Sequence, residues 1–123
     1  MTRVLVVDDE EAVLELAEEF LRRAGYEPCR AAGGRRAIEI FESEASEIDV
    51  VVLDLTMPDV DGRAVFEAVR RCRADVPIVV TTGYSRGALD GFPSESKLTL
   101  LRKPYEPEQL LEAIGSAIRG QSD

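Results

Sequence analysis

Three aspartates stand where apolar β-forming runs end. Asp8 and Asp9 follow Val4–Val7, and Asp54 follows a run from Ile48 to Leu53 that is apolar except for Asp49. An aspartate directly after such a run is expected in an exposed position that chemistry can use. In open α/β sheets the ligand crevice lies outside the carboxyl ends of the strands. If the two strands are neighbours, the three carboxylates share one crevice, a cluster that is costly without a cation. Oxygen-only ligands select a hard ion, and an open site with waters favours Mg²⁺ over Ca²⁺. A carboxylate beside such an ion can also attack phosphorus and form an aspartyl phosphate. Lys103 and Thr82, each at the end of a further apolar run, would add an ammonium and a hydroxyl around the same phosphoryl group.

Each residue alone has a plainer explanation. Asp9 could cap a helix, Asp8 and Lys103 could be solvated, and Thr82 could be a turn hydroxyl. The coincidence of all five at the ends of four strands outweighs these readings. Asp59 and Asp61 read as turn formers, and Glu10 and Glu11 as carboxylates that favour a helix N-terminus through its dipole.

The elements needed to position these groups are legible in order. Val4–Val7 is a first strand. Val13, Leu16, Ala17, Phe20, Leu21 and Ala24 mark one face of a helix that Gly25 stops. Pro28–Ala32 is a weak strand whose proline suits an edge. Gly33-Gly34 turns the chain into a helix marked by Ala37, Ile38, Phe41 and Ala45. The run to Leu53 lacks alternation, as a strand covered on both faces does, and Met57-Pro58-Asp59 and Asp61-Gly62 make a turn after it. Val65, Ala68, Val69 and Cys72 form the stripe of a third helix, Ile78–Thr81 a fourth strand, and Leu98–Leu101 a fifth. Pro107 opens a final helix through Leu110, Ala113, Ile114, Ala117 and Ile118, closed by Gly120. This alternation implies α/β architecture with right-handed crossovers and a doubly wound parallel sheet. Ser85–Lys97 should hold a further helix, yet it contains Gly87, Gly91 and Pro93. Glycine costs about 1 kcal/mol and proline about 3 kcal/mol in a helix interior, so a loop or a single turn is expected there.

Composition narrows the function classes. A chain of 123 residues with 45% hydrophobic residues is expected to form one domain, residues 1–123. A net charge of −9 argues against direct nucleic-acid binding. No apolar run approaches the roughly 20 residues that span a bilayer, so the expectation is a cytoplasmic protein with no membrane partner. Cys29 and Cys72 are too few for a disulfide framework and are expected to be reduced thiols. The absence of histidine excludes His-based triads and His zinc sites.

The stretches VLVVDDE, LDLTMPDVDG, PIVVTTGYS and RKPY together resemble, in order and spacing, the receiver domain of response regulators in two-component signalling. The resemblance covers essentially the whole chain. It implies a five-stranded parallel sheet in the flavodoxin-like order 2-1-3-4-5. It implies that Asp54 is the phospho-acceptor, that Asp9 binds Mg²⁺ directly and Asp8 through water, and that the backbone carbonyl of Thr56 completes the protein ligands. Thr82 matches the switch hydroxyl and Lys103 the phosphoryl-binding lysine, whose bond to Pro104 is typically cis in the family. Leu100 stands where many receivers carry an aromatic switch residue. TTGYS is similar in part to a subgroup with a Phe-Ala-Thr-Gly-Tyr type motif, in which a mobile loop replaces the fourth helix, and Tyr84 is a candidate substitute for the missing ring.

The expected function is a phospho-accepting switch that catalyses only its own phosphorylation and dephosphorylation. The expected partners are a histidine kinase or phosphotransfer protein and a downstream output protein or domain. With nothing after Asp123, the chain reads as a single-domain regulator or phosphorelay intermediate, or as a receiver excised from a hybrid kinase or larger regulator. A phosphatase with an aspartyl-phosphate intermediate would need an acid two residues after the nucleophile, where Thr56 stands. A non-phosphorylated interaction module is disfavoured by the acidic pair, Thr82 and Lys103.

Overall fold

The computed structural model describes residues 2–83 and 98–119. Five strands form one parallel sheet: β1 (Arg3–Asp8), β2 (Glu27–Ala32), β3 (Val50–Asp54), β4 (Ile78–Thr82) and β5 (Leu98–Arg102). They lie in the order β2-β1-β3-β4-β5, as the resemblance implies. Among the described residues, four helices separate or follow them, α1 (Glu11–Arg23), α2 (Gly34–Glu44), α3 (Gly62–Cys72) and α4 (Pro107–Ile118), with a 3₁₀ turn at Ala45–Glu47.

The central strands are apolar on both sides because both sides are covered. Leu5, Val7, Val51, Leu53, Ile78 and Val80 pack with the Phe41 of α2 and the Val65, Phe66 and Val69 of α3. Their alternate neighbours Val4, Val6, Val50, Val52 and Val79 pack with Leu14 and Leu21 of α1 and with Leu110 and Ile114 of α4. Strand β2 is one of the two edges, and its Pro28 stands in register with Val4. Arg30 ties this edge to α1 through Glu18, at 2.7 Å, and Glu11.

The helix faces differ in several places from the periodicity in the sequence, and Ala24 after α1 and Ile118 at the end of α4 are exposed rather than part of the buried stripes. In α1 the buried residues are Leu14, Ala17 and Leu21, while Leu16 is 54% exposed. The buried stripe is centred on the far side of Ala17 from Leu16, and one residue is about 100° of helix. In α3 Cys72 is exposed, because it is the final helical residue and the buried stripe ends at Val69. Both cysteines are free thiols. Pro107 does open α4, assisted by a capping box between Glu106 and Gln109.

The register matters most for chemistry. Val7 pairs with Leu53, so Asp8 and Asp54 stand one residue beyond, side by side at the carboxyl edge. The expected loop or turn at Ser85–Lys97, the role of Tyr84 and the stop at Gly120 lie outside the described residues. No helix among the described residues is long and apolar enough to cross a membrane.

Candidate functional site

Asp54 is the last residue of β3 and is only 2% exposed, so the expectation of an exposed carboxylate is overturned. Asp8, 3% exposed, closes β1 in the same way. Both remain within strands, whose neighbours on either side shield them. Asp9, one residue on, is exposed. Asp9 does not cap α1: the N-cap is Glu10, without a side-chain hydrogen bond.

Carboxylate oxygens of Asp8, Asp9 and Asp54 lie within 4.8 Å of one another. Lys103, just past β5, reaches between two of them, with Nζ 3.0 Å from Asp8 Oδ2 and 3.4 Å from Asp54 Oδ2. Its peptide bond to Pro104 is cis. The backbone binds the second oxygen of each: Thr56 N–H donates to Asp54 Oδ1 at 3.1 Å and Glu10 N–H to Asp8 Oδ1 at 3.0 Å. Thr82 ends β4, 1% exposed, and its carbonyl accepts the Lys103 N–H at 2.8 Å.

The electrostatics follow from burial and these contacts. Burial raises the pKa of Asp54 above the ordinary carboxylate value. The Thr56 N–H and Lys103 oppose the rise, and the Asp8 charge adds to it. Burial also works against the Lys103 ammonium, but the hydrogen bond to Asp8 and the charges of Asp54 and Asp8 outweigh it and hold that pKa high. Burial lifts the Tyr105 hydroxyl as well.

Asp9, Glu10, Asp54, Thr56, Gly83 and Lys103 line a crevice of about 500 Å³. At roughly 30 Å³ per water, that volume accommodates a phosphoryl group, an ion and several waters. The donor set fits a hard cation, since all three residues offer carboxylate oxygens and these lie within 4.8 Å of one another. Glu10 and Gly83 were not singled out in the sequence as crevice residues. Glu10 could have been, since it adjoins the acidic pair, whereas Gly83 carries no side chain to signal it.

The loop after β3 is held tightly. A Cβ at Gly62 would stand 2.6 Å from Leu55 Cα and 2.9 Å from the Asp54 carbonyl, so only glycine lets α3 begin so close beneath the strand. Asp61 caps α3, accepting from Arg63 N–H at 2.6 Å. Asp59 is a cap too, but of α2: its two oxygens accept from Gly34 and Arg35 N–H at 3.1 and 3.2 Å.

Comparison with known proteins decides the family. The response regulator receiver domain matches residues 4–115. This chain belongs to that family. Similar proteins include the sensor kinase CckA of Brucella abortus (strain 2308), 33% identical over 119 residues that make up 96% of this chain and 13% of CckA. The response regulator SaeR of Staphylococcus aureus (strain USA300) is 27% identical over 96% of this chain and 51% of SaeR. The chain thus spans about half or less of these relatives. Among solved structures, the response regulator TrrA from Thermotoga maritima in complex with Mg²⁺-BeF has a TM-score of 0.84. It is 32% identical, with 95% of this chain and 99% of that one covered. Receiver domains are phospho-accepting switches of two-component signalling rather than enzymes with a separate substrate, and this receiver has that function. Its Leu100, at the position many receivers fill with an aromatic ring, is 37% exposed on β5.

Proposed function

We propose that Asp54 is the phospho-acceptor of this receiver and that Mg²⁺ is its cofactor, held by Asp9, by Asp54, by Asp8 through water and by the Thr56 carbonyl. The observation that carries this reading is the three-carboxylate cluster with Lys103 Nζ inserted at 3.0 and 3.4 Å. When bound, the metal neutralises charge on the phosphoryl oxygens. The chain's own residues do the rest. A carboxylate oxygen of Asp54 forms the new O–P bond while the P–N bond of a donor phosphohistidine breaks, and the imidazole nitrogen keeps the electron pair. The Thr56 N–H orients the Asp54 carboxylate before attack. Lys103 is partly desolvated and placed to pair with the incoming oxygens, which lowers the reorganisation needed as charge develops. Thr82, at the end of β4, supplies the hydroxyl that responds to the new group.

The donor is a histidine kinase or phosphotransfer protein, and the output is a protein or domain that reads the modified state. The similarity covers only 13% of the sensor kinase CckA, so the reaction proposed for this chain is limited to its own phosphorylation and dephosphorylation.

Acetyl phosphate with Mg²⁺ tests the reading. The parent protein gains the mass of one phosphoryl group, and Asp54→Asn gains none. A gain that survives Asp54→Asn, or none in the parent protein, overturns it.

A further inference from the structure

Asp59 lies outside the crevice, yet its bonds reach across the molecule. The residues it contacts, Gly34 and Arg35, are 25 and 24 positions earlier in the chain. Gly33, next to them, donates its N–H to the Asp8 carbonyl at 3.0 Å. A circuit of contacts therefore closes around the acidic cluster. It runs from the Asp8 backbone to Gly33, through the α2 N-terminus to Asp59, and along the loop to Thr56. Thr56 N–H reaches Asp54, and Lys103 returns from Asp54 to Asp8. Asp59 is the side chain that closes the outer arc.

The fit there is tight. Gly33 has φ +106, and a Cβ on it would meet Asp59 Oδ2 at 2.9 Å. A Cβ on Gly34 would stand 2.8 Å from Val60 Cβ and 2.9 Å from the Val60 carbonyl. The start of α2 thus packs directly on the Asp59 carboxylate at Gly33 and on the Val60 backbone carbonyl at Gly34.

We propose that Asp59 is a positioning residue for the metal site: by binding the α2 N-terminus it fixes the loop Leu55–Asp61, and so the spacing between Thr56 and the Asp8–Asp9 pair. The inference rests on the metal ligands named under the proposed function. Helix capping alone would give Asp59 a role in stability, whereas positioning gives it one in metal affinity.

Mg²⁺ titrations followed by backbone amide chemical shifts separate the two, well below the melting temperature. In Asp59→Ala the Mg²⁺ dissociation constant rises about tenfold, the scale seen when a partner behind a metal ligand is removed. Asp59→Asn keeps one acceptor oxygen, so it shows a smaller rise and serves if the alanine variant does not fold. Gly25→Ala is the control. Gly25 has φ +92 in open surroundings at the other end of α1, so alanine strains the backbone far from the site. Its Mg²⁺ affinity stays at the parent value. A rise below about threefold in Asp59→Ala, or an equal rise in Gly25→Ala, overturns the inference. If the parent protein itself does not bind Mg²⁺, or if Asp9→Asn binds it equally well, the proposed function fails and takes this inference with it.

Discussion

At the scale of single residues, Asp54 carries the tension of the site. A carboxylate raised by burial above the unfolded value of about 3.9 stabilises the fold below that pH. It loses that contribution as pH climbs through the folded value, so metal-free protein is penalised at pH 7. The leading cause is desolvation, with repulsion from Asp8 contributing less, so removing the Asp54 charge relieves more than removing a distant one. Asp54→Asn therefore raises the melting temperature in chelator at pH 7, and the difference from the parent protein narrows as pH falls toward about 4. Thermal melts across that range decide it. A lower melting temperature for Asp54→Asn at pH 7 would mean that the bonds from Thr56 and Lys103 outweigh the burial of the charge.

At the scale of elements, α1 shows how far sequence reasoning reaches. Its existence, its amphipathic character and its stop at Gly25 are all legible, because they depend on local spacing. Its rotation about its own axis is not, because Leu14 and Leu16 are equally apolar and only the sheet beneath distinguishes them. Leu14, fully buried, was absent from the expected stripe, and Leu16 stood in it. Leu14→Ala should cost about 2–5 kcal/mol, and Leu16→Ala no more than about 0.5 kcal/mol. Urea titrations of both variants check the rotation, and equal losses would contradict it. The site divides along the same line. Asp8, Asp9, Asp54 and Lys103 were visible because each follows an apolar run that had to end at one edge of the sheet. Their burial was not visible, since Asp8 and Asp54 are shielded by neighbouring strands rather than by sequence neighbours. From the sequence Asp59 is only a turn former, because nothing local signals a helix cap whose partners are 24 and 25 residues away.

At the scale of the whole molecule, the two ends of the parallel sheet do different work. The carboxyl edge holds three acids that Lys103 compensates only in part, whereas the opposite edge is pinned by Arg3. Arg3 meets Glu44 at 2.8 Å and Glu47 at 2.9 Å, and its N–H donates to Asp49 at 2.8 Å. These contacts join β1 to the end of α2, the 3₁₀ turn and the approach to β3, so they stabilise the fold without touching the crevice. The pairs are partly exposed, and losing them in Arg3→Ala should cost on the order of 1 kcal/mol. The proposed Mg²⁺ site lies at the other end. At a hundred times its dissociation constant Mg²⁺ adds about 2.7 kcal/mol. For a chain of this size that is roughly 10 °C in melting temperature. Effects at separate, non-touching sites add. Arg3→Ala should therefore lower the melting temperature equally with and without Mg²⁺, leaving the metal increment intact, while Asp9→Asn should lose most of that increment. Melts of the parent protein and both variants, each with Mg²⁺ and with chelator, test the division. If Arg3→Ala also erased the Mg²⁺ increment, the two edges would be coupled through β1, and the sheet could not be treated as a rigid frame that separates them.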